Sequence, residues 1–299
     1  MLAAIRRMIL LTNDKSVQDY SEMSTRPILL ATNPGQKIVG YIPNEASNMG
    51  QQVLVEWKEY GEHWDQNGEE LLQRISGITK RLCSIEDPDY LRVLRCAGFY
   101  HSPEIHAFGL VFNFPRTTQG GSEATIKTLR DSLNKPEQRP LLGTRFKIAY
   151  LLSTSIFQFH KLKWLHKGLS SSNVVFFASD EEKPSEFMNS PYLVGFVHSR
   201  QDDKLAFTEG PPEEYQVYQH PDYRKYRGTR FRPEFDYYGL GILFLEIGLW
   251  LSISEMTNGK GWKGIEYTEF SQRLITRRVP QLGQSMGSIY RDVTLACLQ

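Results

Sequence analysis

The sequence predicts an α+β protein in which a small strand-rich first part precedes a larger, mainly helical second part. Three short apolar runs at 27–31, 38–42 and 51–57 are separated by turn-forming residues, which is typical of neighbouring strands. Two long apolar patterns with helical spacing, at 143–160 and 237–249, lie in the second half. Strands therefore come first along the chain, and the longest helices follow.

The other elements follow from the same patterns. Residues 1–11 form a short apolar segment that we interpret as a helical stub, and the polar residues 12–25 are interpreted as a linker or a mobile arm. The later elements, in chain order, are a helix at 69–82, strands at 90–99 and 105–114, a short helix within 122–133, strands at 173–177 and 191–197, and a helix at 289–298. The last helix ends without a cap, so we expect the chain to be C-terminally incomplete.

Length and composition are those of a protein that can bury a large core. With 299 residues, 40% of them hydrophobic, one two-lobed domain or two small domains are the natural interpretations. We place the N-terminal stub and linker at 1–25, the first lobe at 26–115 and the second lobe at 116–299. This boundary near Pro115 precedes a stretch rich in Thr, Gly, Ser and Pro.

Charge and cysteine content exclude several classes of function. The net charge of +1 gives no reason to expect nucleic acid or an anionic membrane as a partner. Cys83, Cys96 and Cys297 are not spaced as zinc ligands or as a disulfide framework, so we expect no metal site and a reducing, cytoplasmic location. No apolar run approaches the ~18 residues that a membrane-spanning helix requires.

A polar loop lies between the long helix and the strand at 173–177. Its sequence from position 164 is Trp-Leu-His-Lys-Gly-Leu-Ser-Ser-Ser-Asn, which resembles the catalytic loop of eukaryotic protein kinases, H-R-D-L-x-x-x-N. His166 and Asn173 match that pattern at the family's spacing. Gly168, however, occupies the position of the catalytic Asp, and Ser170 that of a Lys which contacts the transferred phosphate. The resemblance implies that the loop retains its architecture without its base.

Further segments of the second half resemble the same family. The sequence Gly195-Phe196-Val197 stands where protein kinases have D-F-G, so the metal-binding Asp is replaced by Gly195. Asp222 takes the position of Glu in the A-P-E segment. Residues 234–250 match the core helix S-D-x-W-S-x-G-x-x-x-x-E, which implies that Asp236 caps this helix and accepts N–H groups from the catalytic loop.

The first half resembles the nucleotide-binding lobe of kinases, with several departures. Lys58 aligns with the phosphate-binding Lys of the V-A-x-K strand, and Glu56 replaces the small Ala against which adenine lies. Because side chains alternate along a strand, Glu56 and Lys58 share a face, where Glu56 could hold Lys58 in an internal ion pair. Phe112 corresponds to the gatekeeper and Asn113 to the start of the hinge, whose usual N–H donor falls on Pro115.

Two other parts of the nucleotide-binding lobe are weak matches. Glu69 and Glu70 are the candidates for the partner of Lys58 on the regulatory helix, but we place them in the helix's first turn, where acidic residues complement the helix dipole. The region of the glycine-rich loop has only Gly35 and Gly40, with Asn33-Pro34-Gly35 as its turn.

The resemblance as a whole implies a two-lobed protein-kinase-like fold, with a small antiparallel β lobe that carries one regulatory helix. It implies a pseudokinase that acts as a binding, scaffolding or signalling module, with no catalytic residue, no metal and no required cofactor, and with ATP bound weakly if at all. The residues of the degenerate nucleotide cleft are Lys58, Asn173, Phe112, Asn113 and Glu56. The residues retained for structure are His166, Phe196, Asp222 and Asp236.

The resemblance is closest to fungal kinase-like domains with W-L-H-K-x-[IL]-x-S-x-N and P-Y-L-V-G-F signatures. These often follow a HeLo-type prion-inhibition domain, which implies a protein partner, either an upstream or a companion domain of that type. Two alternatives remain open. One is a weakly active or atypical ATP-dependent kinase that uses Lys58 and Asn173 with an acid from elsewhere. The other is a purely structural or regulatory domain with no nucleotide ligand.

Overall fold

A computed structural model describes residues 22–23, 25–30, 37–44, 47–60, 64–115, 124–178, 183–201, 213–225 and 229–299. The chain divides into two compact units, Met1–Ser122 and Glu123–Gln299. Residues 1–21, with the expected helical stub, lie outside the described residues, and so do the turn at 33–35 and residues 116–123.

The first unit is built on an antiparallel sheet, which among its described residues has five strands in the order β1-β2-β3-β5-β4. The strands are β1 (Ile28–Leu29), β2 (Lys37–Asn44), β3 (Ser47–Glu59), β4 (Arg95–Ser102) and β5 (Ala107–Asn113). Helix α1 (Trp64–Cys83) packs against β4. The α+β class predicted from the sequence is confirmed.

Strand alternation gives the sheet two different faces. On one face, Val53, Val55 and Trp57 pack with Tyr100 and Val111 in a buried cluster. The other face is set by the β3–β5 register, in which Leu54 lies opposite Phe112, Glu56 opposite Leu110 and Lys58 opposite Phe108. The register therefore places Glu56, Lys58 and Phe112 on one face of the sheet.

Packing starts earlier in the chain than the sequence predicted. Glu22 forms a bridge with Phe99, and the Met23 N–H donates to Phe99 O at 2.8 Å, within the stretch interpreted as a linker. The physical reason is that β4 lies at the end of the strand order, so one side of it has backbone N–H and C=O groups that can pair with another segment. Met23 also contacts the buried cluster of the sheet.

The segment before β4 corrects another prediction. Tyr90 was expected in a strand, but it lies in the short helix α2 (Pro88–Leu91), and β4 begins only at Arg95. Asp87 accounts for this, because its Oδ1 accepts the Tyr90 N–H at 3.0 Å while Pro88 occupies the first helical position.

Helix α1 begins at Trp64, one turn or more before the predicted start at residue 69. Glu69 and Glu70 are therefore not in its first turn, and the expectation that they complement the helix dipole there is wrong. The start was missed because Asn67 and Gly68 are weak helix formers, and Gly68 is buried in the folded unit, where packing outweighs propensity.

The second unit is mainly helical. Its helices are α3 (Leu129–Ser132), α4 (Leu142–Lys161), α5 (Pro184–Phe187), α6 (Pro221–Lys225), α7 (Pro233–Leu249), α8 (Ile253–Met256), α9 (Tyr267–Arg277), α10 (Val279–Ser285) and α11 (Ser288–Leu298). Helix α7 is buried along nearly its whole length and packs against α4, α10 and α11. Within the described ranges of the chain, no helix is both long and apolar enough to cross a membrane.

Short strands flank the polar loop of the second unit. Strand β6 (Thr125–Thr128) pairs with β8 (Val174–Ala178), which also pairs with β9 (Tyr192–Leu193), and β7 (Trp164–Leu165) pairs with β10 (Arg200–Gln201). The helix predicted within 122–133 is thus limited to α3, because Thr125–Thr128 finds a strand partner distant in sequence. The strand predicted at 191–197 is also shorter, since Gly195 adopts φ +90° and a 3₁₀ turn, Phe196–His198, follows it.

Candidate functional site

The polar loop is held at its start by His166. Its side chain is fully buried, packs on Phe196 with ring centroids 4.9 Å apart, and accepts the Gly168 N–H on Nδ1 at 3.2 Å. Its carbonyl oxygen accepts the Ser199 hydroxyl at 3.0 Å. The His166 ring and backbone are thus both engaged in holding the loop.

The carboxylate of Asp236 binds the backbone of the same loop. It accepts the His166 N–H at 2.8 Å and the Lys167 N–H at 2.9 Å, and His160 Nε2 donates to it at 3.1 Å. Asp236 is the fourth residue of α7, whose N-cap is Arg232 and has no side-chain cap, so the prediction that Asp236 caps this helix is wrong. A carboxylate one turn inside the helix faces the loop instead of its own first N–H groups.

Asn173 links Gly168 and Gly195, the two glycines that the sequence resemblance aligns with carboxylates of kinases. Its Nδ2 donates to Gly168 O at 2.6 Å, and its backbone oxygen accepts the Val194 N–H at 3.0 Å. Asn173 is 7% exposed, so its amide lies inside the unit. Gly168, Asn173 and Gly195 are thereby brought into direct contact.

The contact at Gly195 leaves no room for a side chain. A Cβ there would lie 2.5 Å from Asn173 Cγ and 2.8 Å from Oδ1, and closer still to Nδ2. The φ of +90° also disfavours any residue with a Cβ. A Cβ at Gly168 would be less crowded, 3.1 Å from Gly195 O. An aspartate at Gly195 therefore requires Asn173 to move, whereas one at Gly168 requires a smaller adjustment.

Ser170 and Lys167 are both buried, but their polar groups have different surroundings. Ser170 is fully buried, and its hydroxyl has no hydrogen-bond partner in the part of the chain that the structure describes. Lys167 is 3% exposed and has φ +65°. Its Nζ lies 5.5 Å from the ring centroid of Phe231 and 5.8 Å from that of Tyr223, which stabilises a buried ammonium through cation–π attraction.

Glu246 is fully buried on α7 beneath the loop. Its Oε1 accepts the Ile253 N–H at 2.8 Å, the Tyr218 hydroxyl at 2.9 Å and the Ser171 hydroxyl at 3.3 Å. Oε2 is buried and has no hydrogen-bond partner among the described residues. Burial raises the pKa of this carboxyl from 4.5 to about 7, although its hydrogen bonds act in the opposite direction.

The predicted residues of the first unit lie on its central strands. Glu56 is 3% exposed, Lys58 is half-buried, and Phe112 is fully buried opposite Leu54. The backbone N–H of Phe114 donates to Gln52 O at 3.4 Å. Glu56 and Lys58 both have interaction partners, and an ion pair between the two stays a prediction.

Comparison with known proteins identifies the fold. No family model matches the chain, and no curated protein matches it. Among solved structures, the kinase domain of the maize sucrose-induced receptor kinase 1, bound to AMP-PNP, is similar at 15% identity, covering 96% of this chain and 91% of that chain, with a TM-score of 0.56. The chain has a protein-kinase-like fold. At this level of identity, the likeness shows the fold alone.

The kinase-like fold accounts for which predicted residues come together. In the second unit, His166, Gly168, Asn173, Gly195 and Asp236 form one contiguous cluster through the contacts described above. Phe196 belongs to the same cluster through its ring contact with His166.

Asp222 is placed apart from that cluster. Its side chain is half-exposed, and Oδ2 lies 3.9 Å from His220 Nδ1. Such an exposed, weakly paired carboxylate is not expected to support the kinase-like fold. The glycine-loop region 31–36 lies outside the described residues.

Sequence reasoning missed two residues of the kinase-like core. Glu246 was recognised only as a match to a helix pattern, and Lys167 only as a neighbour of His166. The sequence offered one indication for each: a lone Glu in the apolar helix 237–249, and a Lys between two loop residues that match the family. Glu246 accepts a hydrogen bond from Tyr218 and Lys167 lies over Phe231, and both partners are distant in sequence.

Proposed function

We propose that this kinase-like protein is a pseudokinase, a binding or signalling module that does not transfer phosphate. The observation that carries the proposal is the packing of the Asn173 side chain against Gly195, where a Cβ would lie 2.5 Å from Asn173 Cγ. A carboxylate at this position holds the magnesium of protein kinases, and a second carboxylate, replaced here by Gly168, accepts the proton of the substrate hydroxyl. Without these two groups, the phosphate charge is not neutralised and the nucleophile is not positioned.

The proposal includes weak or absent nucleotide binding. Glu56 is buried on the face of the sheet that carries Lys58, so a carboxylate stands where the resemblance implies adenine. Pro115 has no N–H with which to bind a hinge ligand. The ligand of the module is then a protein, and the resemblance to fungal kinase-like domains makes a HeLo-type domain the first partner to test, by co-purification of the two proteins.

The test combines phosphoryl transfer with thermal stability. Purified protein is incubated with γ-labelled ATP and Mg²⁺ or Mn²⁺, alone and with generic protein substrates, and we expect no label above background. The matched control is Lys58→Ala, because a contaminating kinase would label both proteins equally. Transfer by the parent that is lost in Lys58→Ala would instead establish the alternative, a weakly active kinase that uses Lys58 and Asn173.

A thermal titration with ATP separates the remaining alternatives. A ligand that binds only the folded protein stabilises it by about 2.7 kcal/mol at a hundredfold excess over Kd. We expect millimolar ATP, with or without Mg²⁺ or Mn²⁺, to leave the unfolding midpoint unchanged. A rise of several degrees would contradict the expected lack of nucleotide binding. A rise that appears only in Glu56→Ala would identify the Glu56 carboxylate as the group that excludes adenine.

A further inference from the structure

Two cysteines of the first unit face each other across the junction of a helix and the sheet. Cys83 is the last residue of α1, and Cys96 lies on β4, against which α1 packs. Cys83 is exposed, whereas Cys96 is 5% exposed. One cysteine is therefore open to small reagents, and the other is buried in contact with it.

The contact between the two residues is direct. The Cys83 thiol donates to the Cys96 backbone oxygen, with Sγ and O 3.4 Å apart. The β4 strand has an irregularity between Cys96 and Gly98, where Cys96 Sγ also lies 3.8 Å from Gly98 O. Cys96 pairs with Phe112 across the two strands, so the two side chains lie on the same face of the sheet, and the bulge follows directly after Cys96.

The electrostatic environment makes the two thiols unequal. Hydrogen bonding by the Cys96 side chain lowers the pKa of Cys83, and this effect outweighs the opposing effect of burial. Burial, the nearby Cys83 and the Glu56 carboxylate raise the pKa of Cys96 well above its usual range. Burial raises the pKa of Cys297, in the second unit, to about 11. Cys83 is thus the most acidic and most exposed thiol of the chain, the combination that favours reaction with oxidants.

We propose that Cys83 is an oxidation site for hydrogen peroxide and that Cys96 captures the oxidised sulfur as a reversible disulfide. The Cys83 thiolate attacks one peroxide oxygen, the O–O bond breaks, hydroxide leaves, and Cys83 becomes a sulfenic acid. The Cys96 sulfur then attacks the Cys83 sulfur, the S–O bond breaks, and the hydroxide departs with the Cys96 proton as water. Two thiols are oxidised to one disulfide, and one peroxide is reduced to two waters.

The disulfide would fasten the C-terminus of α1 to β4. An S–S bond is about 2 Å long, so the Cys83 side chain must approach Cys96, which is easier at the last residue of a helix than within it. The bond closes a loop that contains α2, and it restricts the unfolded chain. The oxidised protein is expected to be more stable than the reduced one, and the reducing compartment inferred from composition makes the bond transient. This inference is independent of the proposed function.

The experiment treats the full chain, reduced and native, with hydrogen peroxide and then blocks free thiols with N-ethylmaleimide. We expect an intact mass lower by about 2 Da before blocking, the loss of two hydrogens. We also expect a Cys83–Cys96 linked peptide, a higher unfolding midpoint, and reversal by dithiothreitol. Without peroxide, Cys83 should react with N-ethylmaleimide about tenfold faster than Cys297 or more.

Matched variants separate this site from general oxidation. Cys83→Ser, at an exposed position, should remove the linked peptide and the stability gain, whereas Cys297→Ser should retain both. Cys96→Ala should leave Cys83 as a sulfenic acid that dimedone traps. The proposal is overturned if native protein forms no Cys83–Cys96 link, if the link forms only in urea, or if Cys83 is oxidised directly to sulfinic acid in the parent.

Discussion

At the scale of single residues, the loop at 164–173 depends on polar groups that satisfy one another. Asp236 accepts two backbone N–H groups and a ring N–H, and it is 1% exposed. Removing a buried acceptor leaves its donors without partners, which costs more than the net gain of a typical hydrogen bond. Buried contacts of this loop should therefore be far more sensitive to substitution than exposed or uncrowded positions.

Asp236→Ala is expected to destabilise the protein strongly. Two backbone N–H groups would lose their acceptor, at a cost of about 2 to 6 kcal/mol in the free energy of unfolding. Asp222→Ala is the matched control, since its carboxylate is half-exposed and 3.9 Å from a histidine, and its effect should stay within about 0.5 kcal/mol. Urea unfolding of both variants measures the difference, and equal losses would contradict the role assigned to Asp236.

Gly195→Ala is expected to lower the free energy of unfolding by more than the backbone strain of a positive φ accounts for. Gly264 is the matched control, because its φ is +69° and a Cβ there would meet nothing within 4 Å. Gly264→Ala should cost about 1 to 2 kcal/mol from backbone strain. Gly195→Ala should cost about 2 to 5 kcal/mol, because the collision with Asn173 adds to that strain.

A double variant tests whether contact with Asn173 causes the additional destabilisation expected for Gly195→Ala. In Gly195→Ala with Asn173→Ala, the collision is absent, so the two substitutions should cost less together than the sum of their separate effects. Denaturation of the four proteins of this cycle measures the coupling. Strict additivity would show that Asn173 does not exclude a side chain at Gly195.

At the scale of elements, α7 is the centre of the second unit, and Glu246 connects it to other segments. The Glu246 carboxylate accepts hydrogen bonds from the loop at Ser171, from the 3₁₀ turn at Tyr218 and from the start of α8 at Ile253. These segments are far apart in sequence and meet at one buried acid. Arg130 is a cation near enough to lower the pKa of Glu246, but burial outweighs it.

Glu246 is expected to make stability depend on pH near neutrality. Its pKa in the folded protein, about 7, lies above the ordinary value of 4.5, so the folded state holds this proton more tightly than the unfolded state. The resulting stabilisation is fully present below pH 4.5 and is lost as the pH rises through 7. The difference between 4.5 and about 7 corresponds to about 3 kcal/mol.

Glu246→Gln provides the comparison for this titration. Glutamine imitates the protonated acid and does not titrate, so the parent should lose about 3 kcal/mol relative to the variant between pH 4 and 8. The Tyr218 pKa is raised well above its ordinary value by burial, so this hydroxyl stays protonated throughout. The urea unfolding midpoints of both proteins, measured across this pH range, test the prediction. If the midpoints change with pH in the same way in both proteins, Glu246 is not the titrating group.

At the scale of the whole molecule, a protein-kinase-like fold does not by itself supply the chemical groups of a protein kinase. The chain has the protein-kinase-like fold, and the similarity covers 96% of its length, yet the two positions that the sequence resemblance aligns with the carboxylates of kinases hold glycine. Catalysis needs a complete set of groups, and the loss of one is not compensated by the others. At Gly195, Asn173 also occupies the space that a side chain would need.

Restoring both carboxylates is not expected to restore phosphoryl transfer. In Gly168→Asp with Gly195→Asp, the new side chain at 195 collides with Asn173, whose amide binds Gly168 O. Labelled ATP should show no transfer by this variant, nor by Gly168→Asp alone, which the structure accommodates more easily. Thermal melting of both variants verifies that they fold. Transfer that disappears after Lys58→Ala would show that the missing carboxylates were the only barrier.

The order of the elements was predictable because each depends on a local pattern. Period-two and helical apolar spacing predicted the α+β class and most long elements, and these were confirmed. Some wrong predictions concern short segments whose secondary structure depends on a partner distant in sequence, such as Thr125–Thr128, which pairs with β8. Another concerns a helix cap that was overlooked, Asp87 before α2. A short segment has too few residues for periodicity to distinguish a strand from a helix.

For the candidate site, the sequence by itself determined which chemical groups are present. A glycine cannot supply a carboxylate in any conformation. The absence of acidic side chains at positions 168 and 195 therefore follows from the sequence alone, without a structure. Only the tertiary structure decided that Asn173 fills the space beside Gly195, that Glu246 is fully buried and that Cys83 faces Cys96. Residue identity is a property of one position, whereas burial and contact arise between positions that folding brings together.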